Sequence, residues 1–318
     1  MSMTARRNFL WSFVIIGIGV MMLLLALDVL PTGIADIMER SWAVLLVIAG
    51  LNMLFGERIR YGNWLALAVS LALLGGVVYL GYINRIDEIR TENVQTLDPI
   101  PLGDHIQGVN VNVSTLNTVV KFEATADVAK VIGARFVGSK ASDVNISVQE
   151  NETGIVNLVI SETRASSLPD FNDVGISELV VTLPAGVAIN DLQFTSERGQ
   201  ITLDFRVLNV PRFNIVSQNG DIELYMPFAM TPEQNMQGDI TVTQGNLMLV
   251  VPSTIPMSVL NAPADDERRE MNLNVYQVLL EGSNVTIETD GFNAFQIVVQ
   301  VDVPRGTLTI KAPEELTH

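Results

Sequence analysis

The chain has 318 residues, 48% of them apolar, no cysteine, and a formal net charge of -16. The lack of cysteine excludes disulfides, thiolate metal sites and cysteine nucleophiles, and the negative charge argues against nucleic acid as a partner, because a polyanion is repelled. The apolar excess lies before residue 84, whereas from Asn84 onward 14 Lys and Arg stand against 31 Asp and Glu.

The amino terminus reads ARRNFLW, with Arg6 and Arg7 ahead of a charge-free run from Phe9 to Leu27. At about 1.5 Å per helical residue that run crosses a hydrocarbon core of about 30 Å. Paired arginines before Phe and Leu also open cleaved export signals, but those carry a mildly apolar core and a small-x-small cleavage site. Here VIIGIGVMMLLLAL is strongly apolar, no A-x-A follows, and more apolar runs come after it, so an uncleaved anchor is expected. Trp42 to Phe55 forms a shorter second span, near the lower length limit, and Trp64 to Ile83 a full third one. Trp11, Trp42 and Trp64 each open one run and Tyr61 and Tyr82 stand at other run edges, as amphipathic rings do at headgroup level.

Orientation follows from the short connections. Arg6, Arg7, Arg58 and Arg60 fall on one side, while the first connection (DVLPTGIADIMERS) carries three acids and only Arg40. The basic side is cytoplasmic, so the amino terminus is expected inside and everything beyond the third span outside. In that span Ala68, Ala72 and Gly76 form a small-xxx-small face that permits close helix approach. The face suits packing against the other two spans, homo-oligomerisation, or docking to another membrane protein. Asn52, inside the second span, is expected to bond a neighbouring helix, and no intramembrane charge relay marks a transporter.

Residues 84–108 are charged and then proline-containing, which reads as a helical extension passing into a linker. From 109 to 318 the apolar period becomes two. VNLVIS, ELVVTLP, LQFTS, QITLDF, DIELYM, DITVTQ, NLMLVVP, NVTIET, FQIVVQVDVP and TLTIK are short alternating runs separated by Gly, Asn, Asp and Pro. Within them RGQITL, NGDIEL, QGDITV, QGNLML and RGTLTI share a polar residue, a glycine, a polar residue and then alternating apolar positions. This repeat predicts solenoid rungs with turns at Gly199, Gly220, Gly238, Gly245 and Gly306, where glycine takes a positive φ without a Cβ clash. Ile201, Leu203, Ile222, Leu224, Ile240, Val242, Leu247 and Leu249 are then expected to point inward. The expected fold class is an N-terminal α-helical transmembrane bundle, residues 1–83, followed by a C-terminal all-β solenoid.

The glycine-spaced first run, the L-D-x-L ending at Leu27 to Leu30 and S-W-A-V-L-L-V-I-A-G-L from Ser41 to Leu51 resemble the membrane module of LiaF-type bacterial envelope proteins. The LPAG, GQITL and NGDIEL series resembles the putative-adhesin or "toast-rack" β-domain that commonly follows it. The resemblance implies an adhesin-like or cell-envelope stress-response role and, for LiaF-type proteins, modulation of a membrane histidine kinase. The chain departs from that module in showing three spans where four are common.

No motif for catalysis, a cofactor or a metal is present. His105 reads as a solvated loop residue and His318 is the last residue. Asp265, Asp266 and Glu267, followed by Arg268, Arg269 and Glu270, read as a solvated loop without the oxygen-ligand spacing of a calcium site. The expectation is therefore a non-enzymatic protein with the lipid bilayer, a cell-wall component or a sensor kinase as partner. The other readings are an exported β-helix enzyme acting on envelope glycans through paired carboxylates, and a LiaF-like kinase regulator.

Overall fold

In the computed structural model the described residues are 89–103, 105–125, 131–140, 142–164, 176–230, 235–252, 255–273, 277–288 and 297–313. The spans expected before residue 84, with Arg6, Arg7, Trp11, Trp42, Arg58, Arg60, Tyr61, Trp64, Ala68, Ala72, Gly76 and Tyr82, lie outside them. Among the described residues no helix is long and apolar enough to cross a membrane.

The described part is all β apart from one 3-10 turn at Asp266–Arg268. Its strands begin with β1 (Asn93–Pro101), β2 (Gly108–Thr125), β3 (Val131–Gly138), β4 (Ser142–Glu150), β5 (Ile155–Arg164), β6 (Ser177–Pro184), β7 (Ile189–Arg198), β8 (Ile201–Asp204) and β9 (Arg212–Asn219). They continue with β10 (Ile222–Tyr225), β11 (Met236–Val242), β12 (Leu247–Val250), β13 (Met257–Leu260), β14 (Arg269–Asn272), β15 (Gln277–Glu281), β16 (Asn284–Glu288), β17 (Ile297–Asp302) and β18 (Leu308–Lys311). Part of the stretch read as helix and linker is thus a strand: β1 pairs antiparallel with β3.

Each rung lays one strand in a first sheet and the next in a second. Along the stack the parallel rungs are β5/β6, the two halves of β2, β7/β8, β9/β10, β11/β12, β17/β18 and β13/β14. Antiparallel strands finish the ends: β4 on the first sheet and β3 with β1 on the second at one end, β16 with β15 on the first sheet at the other. Rung order is not chain order. β2 sits between β5/β6 and β7/β8, and β17/β18 sits between β11/β12 and β13/β14.

Alternation along each strand builds the core, since residues two apart share a face. Leu179, Val120, Ile201, Ile222, Leu247 and Leu308 form one inward column of the second sheet, and Ile160, Val113, Phe194, Ile215, Ile240 and Val301 one of the first. All twelve are buried, as are all eight residues expected to point inward. Edge-on rings of Phe122, Phe205 and Phe213, with successive centroids 6.3 and 5.7 Å apart, pack together within the core.

One inward column is polar. Thr115, Ser196 and Ser217 stand in register before the corner between the sheets, Val242 continues the row, and on β5 Glu162 directly follows Ser161, the last residue paired with β2. Glu162 is only 4% exposed. It accepts hydrogen bonds from the Leu116 backbone N–H at 2.7 Å, the Thr118 hydroxyl at 2.6 Å and the Ser142 hydroxyl at 2.7 Å. The bonds from Leu116 and Thr118 hold the bend at which β2 leaves one sheet for the other, that from Ser142 ties in β4, and together they compensate the carboxylate for the water it loses.

Candidate binding face

Four of the five repeat glycines stack in one column at the corner. Gly199, Gly220 and Gly245 have φ of 113°, 155° and 133°. A Cβ on Gly199 would lie 2.3 Å from the Thr118 carbonyl oxygen, on Gly220 2.1 Å from that of Gly199, on Gly245 2.5 Å from that of Gly220, and on Gly306 1.7 Å from that of Gly245. Rungs can turn this tightly only where backbone lies directly on backbone. The backbone N–H of Gly199 donates to Asn219, that of Gly220 to Gln244 and that of Gly245 to Arg305, closing the column.

Gly238 is the exception. It lies inside β11, a strand of the first sheet, and not at a corner. A Cβ there would come within 2.0 Å of the Phe213 ring, so the glycine makes room for that ring in the core. QGDITV therefore mimics the corner motif in sequence while occupying the other half of a rung.

The residue after each corner glycine faces outward. Asp221 Oδ1 accepts from the Asn246 N–H at 2.7 Å, and Asn246 Oδ1 from the Thr307 N–H at 3.0 Å, each reaching to the next rung. Two residues further on stand Thr202, Glu223, Met248, Thr309 and Glu270. The two rows enclose an open groove of about 360 Å³, lined by Gln200, Asp221, Glu223, Asn246, Met248 and Glu270 with Thr307 and Thr309. It crosses four interstrand steps, from β8 to β14, which at about 4.8 Å each is about 19 Å. Among the described residues no basic side chain lines it.

Three cations of this sheet and its corner are engaged. Lys121 pairs with Glu178 at 2.8 Å, which raises the lysine pKa through the hydrogen bond and the adjacent charge. Arg268 donates to the carbonyls of Gly306, at 3.1 Å, and Val303. Arg206 binds Asp204 through two nitrogens and stands 5.2 Å above the Tyr225 ring and 5.6 Å from that of Phe228. The Tyr225 hydroxyl donates to Glu223 at 2.5 Å. That bond, with partial burial and the Glu223 charge, pushes the phenol up to about 12. Tyr225 therefore holds the groove carboxylate Glu223, and Arg206 lies against both the Tyr225 ring and the exposed Phe228.

The other candidates fall elsewhere. His105 is exposed and its Nε2 lies 2.8 Å from Glu150. Asp265 caps the short turn that follows it, accepting from the Glu267 N–H at 3.0 Å. Among the described residues no group of His, Cys, Asp and Glu is placed to hold a metal ion. Sequence reasoning passed over Asp221, Glu223, Asn246, Arg206 and Tyr225, although the polar positions of NGDIELY and QGNLML carried the signal for four of them.

No family model and no curated protein matches the chain, so the LiaF-type resemblance has no counterpart among these comparisons. Among solved structures, the chain is similar to a putative cell adhesion protein from Clostridium sporogenes, with 14% identity and a TM-score of 0.56 over 69% of this chain and 99% of that one. A putative adhesin from Bacteroides fragilis aligns at 10% identity over 71% and 99%, with a TM-score of 0.19. The first of these shows that the β-solenoid fold is shared with a bacterial protein described in terms of adhesion.

Proposed function

We propose that this is a membrane-anchored, adhesin-like binding protein of the bacterial cell surface, and that its β-solenoid takes a positively charged partner in the groove of the second sheet. The observation that carries the reading is the groove itself. Three carboxylates and two amides stand around Met248 on strands stacked in register, with no basic residue in the lining among the described residues. Such a face is preorganised, so little ordering entropy is lost on binding. The fold shared with a protein described as a putative cell adhesion protein supports binding over catalysis. So do the carboxylates: Asp221 and Glu223 are committed to the Asn246 N–H and the Tyr225 hydroxyl, which suits holding a surface in shape more than exchanging protons. Display outside the membrane rests on the three apolar runs and their flanking arginines.

The test uses the full chain in lipid nanodiscs and oligolysine as probe. Asp221→Asn, Glu223→Gln and Glu270→Gln together are expected to weaken binding about tenfold at low salt, from three exposed contacts of about 0.5 kcal/mol each. A charge-matched control on the first sheet, Asp191→Asn, Glu197→Gln and Asp239→Asn, is expected to change it less than about twofold. Equal losses would assign the attraction to overall charge and defeat the groove reading. Protease added to intact spheroplasts is expected to degrade the β-domain; protection until lysis would defeat the surface placement.

A further inference from the structure

Among the described residues the two sheets end in four edge strands, β1 and β14 on the second and β4 and β15 on the first. An exposed edge offers unpaired N–H and C=O groups, and soluble domains blunt such edges with charge, proline, irregularity or shortness. Three of the four are treated this way. β1 carries Asp98, Pro99 and Pro101 and a register shift between Leu97 and Ile100. β4 carries Asp143 and Glu150. β14 has four residues, two of them Arg269 and Glu270. β15 reads QVLLE, with three consecutive apolar residues and a charge only at its last position. Among the described residues no strand pairs on its far side.

Its side chains sharpen the contrast. Leu279 is 47% and Leu280 43% exposed, and adjacent strand residues point to opposite faces, so both faces of this edge are apolar. Val278, on the same face as Leu280, packs against the core. Among the described residues the first sheet also runs two strands beyond β13, whereas the second stops at β14, so at this end Leu280 continues the core face past the second sheet.

We propose that β15 is the pairing edge of a homodimer, in which β15 of a second copy docks antiparallel to it about a two-fold axis through Leu279. The segment is complementary to itself in this register. Leu279 meets Leu279, Val278 meets Leu280 of the other copy, and Glu281 falls opposite Gln277, so no like charges face each other. The axis makes the contact isologous and closed, which stops pairing at two copies. The first sheets of both copies become one continuous sheet, and each Leu280 is covered by Val278 of the other.

The test uses the full chain in detergent, with protein mass read by light scattering. The native protein is expected at twice the chain mass. Because the chain has no cysteine, Leu279→Cys is expected to give an oxidised covalent dimer, whereas Asn145→Cys on β4 is not. Leu279→Lys with Leu280→Lys, which sets like charges across the axis, is expected to give the single-chain mass while keeping the β-rich circular dichroism spectrum of the native protein, with melting lowered only by the loss of the dimer. The proposal is overturned by a single-chain native mass, by a dimer that survives the double lysine change, by equal crosslinking at Asn145→Cys, or by a foreign polypeptide captured at Leu279→Cys in place of a second copy. Should the lysine variant fail to fold, the comparison of the two cysteine variants still decides.

Discussion

The Cβ that Gly220 lacks would stand 2.1 Å from the carbonyl oxygen of Gly199, one rung away. The corner column is therefore a contact between main chains. Gly220→Ala is expected to cost about 3 kcal/mol or more, because it adds a backbone clash to a strained φ. Gly186 makes the control, with φ of 80° and open space where its Cβ would go. Gly186→Ala is expected to cost about 1–2 kcal/mol from the left-handed backbone alone. Urea denaturation midpoints of the two variants check the difference.

A similar argument places Gly238 under the Phe213 ring, 2.0 Å from a would-be Cβ. Gly238→Ala is expected to destabilise by about 1–3 kcal/mol through overpacking. Phe213→Leu in the same chain should recover part of that loss, a coupling of about 1 kcal/mol in a double-mutant cycle. Strict additivity of the two changes would show that the glycine serves something other than the ring.

Glu162 binds three donors at the bend of β2. Glu162→Ala leaves a backbone N–H and two hydroxyls without their acceptor, for an expected loss of about 3–5 kcal/mol. Glu162→Gln keeps one acceptor oxygen and should cost about 1–2 kcal/mol. Thermal melts ranking native above Gln above Ala are the expected result; equal melting of Ala and Gln would refute the hydrogen-bond account.

The Tyr225 phenol titrates at about 12 in the folded protein, raised from 10.0 first by its hydrogen bond to Glu223. Its stabilisation is complete below the unfolded value and is lost as pH rises from there through the folded value. The native chain is therefore expected to lose stability more steeply than Tyr225→Phe between pH 10.0 and about 12. Phenolate absorbance, taken as the difference between the two proteins, should show the late-titrating group directly. A Tyr225 signal centred at 10.0 would remove the bond to Glu223 from the account.

Legibility in the sequence varied with what each strand carries. β8, β10, β12 and β18 were plain, because a corner glycine and alternating apolar residues coincide in each. β9 was not, since its inward row of Phe213 and Ile215 ends in Ser217, a polar residue in a core position. β1 was read as linker because Asp98, Pro99 and Pro101 belong to linkers as readily as to a blunted edge strand. The groove stayed hidden for a different reason. Glu223 and Glu270 share an outward row only through the pairing of β10 with β12, β12 with β18 and β18 with β14.

Short-range sterics were enough to say which side chains face the core and that a residue without Cβ stands at a corner, because both depend on neighbours a few bonds away. Rung order depends on distant partners. Val111 lies between Leu158 and Leu192, and Leu308 between Leu247 and Arg269. Periodicity along the chain holds no information on such pairs, since any strand with the right alternation fits beside any other. It is the closing of the core, column by column, that selects one stacking order and with it the face, the groove and the edge on which the proposed functions rest.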